Sequence, residues 1–407
     1  MQIICVLGKG VFSLADLSCV IFLSDDTAKT GYQKPMFLQN IMGKPVLSWL
    51  VSSLVTGGCG RFFLVCQEKF RLDARACFPE TVPVTVSCGP DTSDQLHVFL
   101  STARDEEREV TMVTTPTLIL PKSARPDFRN HPVSTGAYSV DRRALMDALD
   151  DRFSFQDFLG EKGRSLTDRD GFYAVTSAED LAQWQPVFNQ EILKRLARNG
   201  VEIWDFGSCY VDPDVFVGPG TVLLPGTILA KGTVVGRNCR IGPNSYLEGT
   251  KVDDGATVNS SQLYDAIVGE GTTVGPFTYV RPGTIIGKNC RVGDFVEVKN
   301  SVIGDGTKIS HLTYVGDSDV GSRVNFGCGT VTVNYDRAKK YRTLIGDDCF
   351  IGCNTNLIAP VTLGNGAYTA AGSTITDDVP DDALAIARVR QTVKNDWAKD
   401  HKVKEKK

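Results

Sequence analysis

Residues 217–247 read VGPGTVLLPGTILAKGTVVGRNCRIGPNSYL, in which an aliphatic side chain returns at every sixth position. Those positions are Val217, Leu223, Leu229, Val235, Ile241 and Leu247. A period of six fits neither a helix of 3.6 residues per turn nor the two-residue alternation of a strand in a hairpin sheet. It suits a solenoid in which each face of a coil is one short strand and each corner is a tight turn. The stretch therefore predicts a β-helix of hexapeptide repeats.

The same spacing recurs twice further along the chain. The two later runs are Val268, Val274, Val280, Ile286, Val292 and Val298, and Ile345, Ile351, Leu357, Leu363, Thr369 and Ile375. Residues 207–376 also hold 26 of the 39 glycines, which suit tight corners. One coil cannot bury this ladder alone, so stability must come from stacked neighbours. The alternative is a β-sandwich with accidental spacing, and eighteen matches in three runs argue against it.

The N-terminal half has a different pattern. Apolar runs such as CVIFL at 19–23 and RFFLV at 61–65 alternate with helical-looking stretches, which indicates a layered α/β architecture. Ser177 is a plausible helix N-cap, and Pro186 is expected to break or kink the helix that follows. We expect an α/β domain over 1–176, a connecting helix over 177–206, a β-helix over 207–388 and a basic tail over 389–407.

Composition excludes several classes of protein. The chain has 407 residues, 42% hydrophobic and 23% charged, as in ordinary globular proteins, and is long enough for two domains. It shows neither a long apolar segment nor a signal peptide, so we expect a cytoplasmic protein with no membrane contact. A net charge of −4 argues against nucleic acid as a partner. Twelve scattered cysteines suggest a reducing compartment and no structural zinc.

The last fourteen residues concentrate positive charge. They contain Lys394, Lys399, Lys402, Lys404, Lys406 and Lys407. This segment is either a solvated tail or one that contacts phosphate groups, and the sequence leaves both readings open.

Four strings in the second half depart from the simple repeat, and departures inside a regular solenoid are where function is expected. They are RPGT at 281–284, FVEVKN at 295–300, HLTYVGD at 311–317 and VNFGCGTVTVNYD at 324–336. A polar insertion at 337–343 follows and must loop out of the coil.

These motifs closely resemble the acetyltransferase domain of the bifunctional UDP-N-acetylglucosamine pyrophosphorylase/glucosamine-1-phosphate N-acetyltransferases, the GlmU family. The resemblance is continuous from about Val211 to Trp397. It implies a left-handed parallel β-helix that acetylates glucosamine 1-phosphate with acetyl-coenzyme A. The product would enter UDP-N-acetylglucosamine synthesis, which supplies peptidoglycan and lipid A. The resemblance also implies a homotrimer whose acetyl sites are shared between subunits.

The resemblance further implies roles for individual residues. The implied substrate-binding positions are Arg281 and Lys299 as phosphate clamps, Tyr314 and Asn325 toward the sugar, and Lys340 toward the sugar phosphate. The implied acetyl-coenzyme A positions are Cys328, Asn334, Tyr335, Cys353, Ala371 and Arg388. The family usually has alanine at the first of these cysteines and serine at the second. Because a thiol donates a hydrogen bond poorly, Cys353 is expected to weaken a contact with the thioester.

The reaction needs a base, because the amine of glucosamine 1-phosphate is largely protonated at neutral pH. Imidazole suits this role, since its ordinary pKa of about 6.5 lies near neutrality. The chain has four histidines, His97, His131, His311 and His401. Only His311 lies in a cluster with Arg, Lys, Tyr and Asn, which favours catalysis over a structural role.

The first domain resembles the family's uridylyltransferase domain with its phosphate loop altered. Gly43-Lys44-Pro45 matches the family. Counting back, Asp25 and Thr27 stand at glycine positions of the loop, Lys29 replaces its arginine and Pro35-Met36 replaces Pro-Lys. An aspartate there adds bulk and like charge against a triphosphate, so UTP should bind poorly.

The string TTPTL at 114–118 also lacks the aspartate with which the family holds magnesium. We therefore expect a degenerate nucleotidyltransferase-like, Rossmann-like domain, with magnesium required only if uridylyl transfer survives. Two alternatives stay open. The chain could still be bifunctional, or it could be a non-catalytic scaffold, which the presence of His311, Arg281 and Lys299 together argues against.

Overall fold

The computed structural model describes residues 17–120, 125, 134–150 and 154–401. Two compact units make up the chain: residues up to Asn199 together with Asp205–Val215, and Gly200–Trp204 together with the residues from Phe216 onward. Outside the described residues lie His131 and the tail lysines Lys402, Lys404, Lys406 and Lys407. None of the helices in the described part of the chain combines the length and apolar character needed to cross a bilayer.

A six-stranded mixed sheet forms the centre of the first unit. Its strands in spatial order are Val84–Ser87, Cys59–Val65, Leu17–Phe22, Glu109–Val113, Ser134–Asp141 and Arg164–Thr167. The first four run parallel to one another, and the last two join antiparallel. Shorter strands are Asn40–Ile41 with Lys44–Pro45, Thr117–Ile119 with Phe172–Ala174, and Tyr210–Val211.

Helices cover both faces of this sheet. They are Thr27–Thr30, Val46–Thr56, Arg71–Arg75, Thr92–Ser101, Arg142–Asp150, Phe155–Lys162 and Ala178–Arg198, with 3-10 turns at Met36–Leu38, Glu68–Phe70 and Asp168–Asp170. Successive strand residues enter different cores, because side chains alternate across a strand. Val20 lies in one core with Leu96, whereas Ile21 lies in the other with Leu50. This arrangement confirms the predicted α/β class.

The predicted helix after Ser177 forms and spans Ala178–Arg198. Ser177 and Asp180 cap it reciprocally, each side chain accepting a hydrogen bond from the other residue's backbone N–H. Of the break or kink predicted at Pro186, the break is wrong, because the helix continues through this residue. An interior proline costs about 3 kcal/mol, and the burial of one apolar face, including Trp184, offsets that cost.

The second unit is a parallel β-helix with three faces. Face 1 comprises Glu202–Ile203, Val222–Leu223, Arg240–Ile241, Thr257–Val258, Thr273–Val274, Arg291–Asp294, Lys308–His311, Asn325–Phe326, Phe350–Ile351, Tyr368–Thr369 and Leu384–Ala385. Face 2 includes Ile228–Leu229, Tyr246–Glu248, Gln262–Tyr264, Tyr279–Val280, Glu297–Lys299, Tyr314–Gly316, Val331–Val333, Asn356–Ile358 and Thr374–Ile375. Face 3 comprises Phe216–Val217, Val234–Val235, Lys251–Val252, Ile267–Val268, Ile285–Ile286, Val302–Ile303, Ser318–Val320, Thr343–Ile345 and Val361–Leu363. A short helix, Trp397–Asp400, follows.

The predicted ladder of inward side chains is confirmed, since all eighteen of its residues are buried. The six-residue count slips where a coil is shorter than eighteen residues. Val217 pairs with Val235, but Val235 pairs with Val252 and Val252 with Val268. Each strand of face 3 therefore still pairs with the equivalent strand of the next coil, and the shorter coils have fewer residues in their corners.

The polar insertion leaves the coil as the sequence predicts. On face 3, Val320 pairs with Ile345, so this coil is longer than its neighbours. The extra residues lie between Val333 on face 2 and Thr343 on face 3. An antiparallel bridge between Tyr335 and Lys340 closes the insertion on itself.

Candidate active site

His311 is held by a carboxylate on the preceding coil. It ends a strand of face 1 and lies beside Asp294, whose Oδ1 is 2.8 Å from His311 Nδ1. A carboxylate only accepts, so Nδ1 carries a proton, and in the neutral ring Nε2 has the lone pair. The hydrogen bond from His311 lowers the pKa of Asp294. Sequence reasoning missed Asp294, although its position one coil length before His311 is a signal that could have identified it.

Four of the predicted site residues form a column along one corner of the solenoid. The register of face 1 puts His311, Cys328, Cys353 and Ala371 at equivalent positions on successive coils, between faces 1 and 2. Backbone hydrogen bonds join these coils, as from the Asn354 N–H to the Cys328 carbonyl at 2.8 Å. The spacing along this column is that of neighbouring strands, about 4.8 Å.

Arg388 extends this region at the C-terminal end. A Cβ on Gly372, the neighbour of Ala371, would lie 3.8 Å from Cδ of Arg388. In the described part of the tail, Lys399 pairs with Asp396 at 2.6 Å.

Face 2 carries the predicted phosphate clamps on successive coils. Arg281 follows one strand, its N–H donating to the Val298 carbonyl, and Lys299 ends the next. The position after Lys299 in this column is Gly316, and a Cβ there would clash with the Tyr314 hydroxyl oxygen. The glycine therefore leaves room for the tyrosine ring on the outer surface of face 2.

Two other cations, Lys340 and Arg281, lie around Lys299. Its pKa is lowered, first by a contact with Lys340 and then by partial burial, and the charge of Arg281 acts in the same direction. Such mutual repulsion between like charges marks a site that an anion would stabilise. Arg281 also donates to Glu297 Oε1 at 2.8 Å, and this hydrogen bond raises the pKa of Arg281. Lys340 reaches the group from the insertion.

Asn334 and Tyr335 stand at the base of the insertion with different surroundings. Asn334 is buried and donates to the Tyr314 hydroxyl at 3.3 Å and to Asp317. Tyr335 is exposed, and its hydroxyl donates to the Arg337 carbonyl at 2.6 Å.

Asn325 lies apart from the other predicted sugar-contacting residue. It is on face 1, paired with Lys308 and Phe350, whereas Tyr314 is on face 2. Among the described contacts, none joins the two side chains. Arg281, Lys299, Lys340 and Tyr314 thus interact with one another, whereas His311 and Asn325 lie on adjacent strands of face 1.

The first unit has its own candidate site, at the altered phosphate loop. Asp25 accepts from the Thr27 N–H and hydroxyl and from Lys69 Nζ at 2.6 Å. The hydrogen bond from Lys69 is the main cause that lowers the pKa of Asp25 to about 2. Both oxygens of this carboxylate thus have partners within the chain.

At the predicted magnesium position, the Thr114 hydroxyl donates to the Gly136 carbonyl at 3.0 Å, and no acid stands there. No three acidic, histidine or cysteine side chains converge on a possible metal position within the described ranges. Magnesium needs hard anionic oxygens, so these residues do not fit the ion.

The bacterial transferase hexapeptide model (six repeats) matches residues 214–249, 265–300 and 342–377, which confirms the predicted hexapeptide-repeat, left-handed β-helix class. Bifunctional protein GlmU of Acetivibrio thermocellus is 46% identical over 281 residues, 65% of this chain and 61% of that protein. The Clostridium kluyveri protein of the same name is 49% identical over 223 residues, which are 55% of this chain and 49% of that protein. Bifunctional protein GlmU of Clostridium botulinum (strain Kyoto) is 42% identical over 286 residues, which are 67% of this chain and 63% of that protein.

These relatives confirm the resemblance to the GlmU family. The chain spans between about half and 63% of the length of these three relatives. Among solved structures, the inositol-1-phosphate CTP transferase from T. maritima matches 45% of this chain and 98% of its own, at 12% identity and a TM-score of 0.31. A likeness of that quality supports no conclusion about function.

Proposed function

We propose that this relative of the GlmU proteins is a glucosamine-1-phosphate N-acetyltransferase that uses acetyl-coenzyme A, in the cytoplasm and on the route to UDP-N-acetylglucosamine. The observation that carries the proposal is the pairing of His311 with Asp294, one coil from the cations around Lys299. A base beside an anion site is what an amino-sugar phosphate requires. The resemblance to the GlmU proteins supports the choice of sugar and acyl donor.

The chemistry follows from the Asp294–His311 pair. The ammonium group of the sugar first loses one proton to solvent, and Nε2 of His311 then takes a second proton from the nitrogen as the free amine attacks the thioester carbonyl. The C–N bond forms, the C–S bond breaks, and the imidazolium returns its proton to the coenzyme A thiolate. Asp294 holds the ring in one tautomer and stabilises the imidazolium.

The substrates would lie on two sides of His311. Lys299, Lys340 and Arg281 would bind the sugar phosphate, with Tyr314 against the sugar. The acyl donor would run along the corner column past Cys328, Cys353 and Ala371 toward Arg388. Asn334 and Tyr335, at the other edge of face 2, are proposed to contact an acyl donor as well. Cys353 would face the thioester with only a weak hydrogen-bond donor.

We further propose a homotrimer that self-associates through face 3. Most outward side chains of this face are exposed and apolar, with Lys251, Asp319 and Thr362 at the remaining positions. The apolar ones form a strip, namely Phe216, Val234, Ile267, Ile285, Val302 and Leu344. Equivalent positions of face 1 include Arg240, Thr273, Arg291 and Lys308. An apolar strip of this length favours contact with a second copy. A shared site would also give a role to Asn325, which could complete the site of a neighbouring subunit.

We propose, finally, that the first unit does not transfer uridylyl groups. The Asp25–Lys69 pair would have to open before a triphosphate could approach, and the surroundings of Thr114 offer magnesium no acid. Pyrophosphate release from UTP and N-acetylglucosamine 1-phosphate, measured with magnesium, tests this. Robust turnover would instead establish a bifunctional enzyme.

The acetyltransferase proposal is tested by coenzyme A release. The full chain is mixed with acetyl-coenzyme A and glucosamine 1-phosphate, and the free thiol is followed, with glucosamine, galactosamine 1-phosphate and glucosamine 6-phosphate as alternative acceptors. Release that depends on glucosamine 1-phosphate is expected. A His311→Ala variant that keeps activity within about tenfold would show the base assignment to be wrong. Absence of release from the native chain would favour a non-catalytic scaffold.

A further inference from the structure

Asp317 is a buried carboxylate at the corner between faces 2 and 3. Only 4% of the residue is exposed. Its backbone is fixed by both neighbouring coils: its N–H donates to the Lys299 carbonyl at 2.9 Å, and its carbonyl accepts from the Thr343 N–H at 3.1 Å. A buried carboxylate is tolerated only with well-placed partners, so the groups around it indicate what it holds.

The partners of the Asp317 side chain come from the coil before it and the coil after it. Asn300 Nδ2 donates to Oδ1, Asn334 Nδ2 donates to Oδ2, and Lys299 Nζ lies 3.8 Å from Oδ2. Lys299 belongs to the proposed phosphate subsite and Asn334 to the proposed acetyl-coenzyme A subsite. One carboxylate therefore contacts a residue of each.

We propose that Asp317 is a positioning residue that fixes Lys299 and Asn334 together and so aligns the phosphate subsite with the acyl-donor subsite. The inference rests on the proposed function, which supplies the identity of the two ligands. It adds a residue to which the resemblance assigned no role.

The charge of Asp317 matters as well as its position. Lys299 faces Lys340 and Arg281, and both lower its pKa, whereas Asp317 raises it. Glu297 is occupied by Arg281 at 2.8 Å. Asp317 therefore favours the protonated form of Lys299 beside two other cations, which is the form that binds a phosphate dianion.

The test compares Asp317→Asn with Asp265→Asn in the full chain. Asp265 also has a left-handed backbone, with φ of 43° against 49° for Asp317, but it is exposed and three coils away from that residue. For Asp317→Asn we expect KM for both substrates to rise about tenfold, a typical effect of losing a charged hydrogen bond. The alkaline decline of kcat/KM for glucosamine 1-phosphate should begin at lower pH, because Lys299 then loses its proton earlier. Asp265→Asn should change neither.

Double variants separate positioning from general destabilisation. In a Lys299→Met background, Asp317→Asn should no longer affect KM for glucosamine 1-phosphate but should still raise KM for acetyl-coenzyme A. In an Asn334→Ala background the reverse is expected. Unchanged KM values and pH profile, or a loss confined to melting temperature and active fraction, would overturn the proposal. If the Asp317→Asn protein does not fold, Asp317→Glu is used instead. For this variant we expect both KM values to rise and the alkaline decline of kcat/KM to stay at the same pH.

A readout independent of turnover distinguishes failure of this inference from failure of the proposed function. Labelling of Lys299 by acetic anhydride, followed by mass spectrometry across pH, reports its protonation. Asp317→Asn should speed labelling of Lys299 several-fold at a fixed pH and leave the exposed Lys308 unchanged. Equal Lys299 labelling in the two proteins would refute the role of Asp317, whereas a native chain that releases no coenzyme A would refute the activity alone.

Discussion

Asp294 Oδ1 lies 2.8 Å from Nδ1 of His311, across two adjacent strands of face 1. If this carboxylate holds the imidazole in the tautomer that leaves Nε2 basic, Asp294→Asn should lower kcat by about tenfold to a hundredfold while KM changes little. Steady-state coenzyme A release measures both.

The control for that variant is Asp348→Asn. Asp348 accepts a hydrogen bond from Arg323 at 2.6 Å, and this bond lowers the pKa of Asp348, as the bond from His311 lowers the pKa of Asp294. Asp348 lies elsewhere on the solenoid surface. Its loss should leave kcat unchanged. An Asp294→Asn enzyme with native kcat would show that the pairing is incidental to catalysis.

Thiol reagents should reach Cys353 first among the described cysteines of the solenoid. Cys353 is exposed, whereas burial raises the pKa of Cys239, Cys290 and Cys349. Because the thiolate is the nucleophile, we expect N-ethylmaleimide to inactivate the enzyme and acetyl-coenzyme A to protect it. Cys353→Ser should resist the reagent and have a KM for acetyl-coenzyme A that is lower by several-fold. Equal inactivation of this variant would assign the effect to another thiol.

A charge on face 3 should disrupt self-association. Val302 is 43% exposed in the middle of the apolar strip, and Val302→Glu would place a carboxylate where an apolar contact is proposed. Light scattering should give a monomer, with acetyl transfer reduced at least tenfold because the shared site is lost. The matched control is Thr273→Glu on the outside of face 1. A Val302→Glu protein of native mass would move the interface to another face.

The Asp25–Lys69 pair should be visible in an acid titration. The pKa of Asp25 is lowered to about 2, so its contribution to stability is present above the ordinary pKa of about 3.8 and is lost as pH falls toward 2. Lys69→Met should bring the pKa of this carboxyl back toward 3.8, as followed by NMR of the Asp25 carboxyl carbon. A native-like value in the variant would mean that the hydrogen bonds from Thr27 are sufficient.

The solenoid was predictable because the same packing requirement repeats at every sixth residue. Each inward residue from Val217 to Ile375 is chosen by one requirement, burial against the coil above and below, and a single sequence displays that choice repeatedly. Threonines such as Thr227 were not predicted to be buried. Its hydroxyl donates to the Leu224 carbonyl at 2.7 Å, so a polar residue becomes compatible with the interior only once the corner backbone exists.

Site partners were harder to predict than site residues. His311 was predicted as a site residue from its chemistry and its sequence neighbours, but Asp294 and Asp317 contact residues one coil away, and only the register reveals those contacts. A break at Pro186 was wrongly predicted for a related reason. Local propensity favoured a break, whereas the burial of Trp184, which stabilises the helix, is a tertiary effect.

If an acyl donor binds along the corner column as proposed, the column also determines where the reactive end of that donor stops. Backbone hydrogen bonds between coils, not side-chain conformations, set the distance from His311 to Ala371. Positions along the column are therefore spaced at fixed intervals of about 4.8 Å. Side-chain replacements along it would alter how tightly an acyl donor is held but not where its reactive end stops. Adding or removing a complete coil between His311 and Arg388 would instead shift that end by one inter-coil distance, about 4.8 Å. No point substitution can produce such a discrete change.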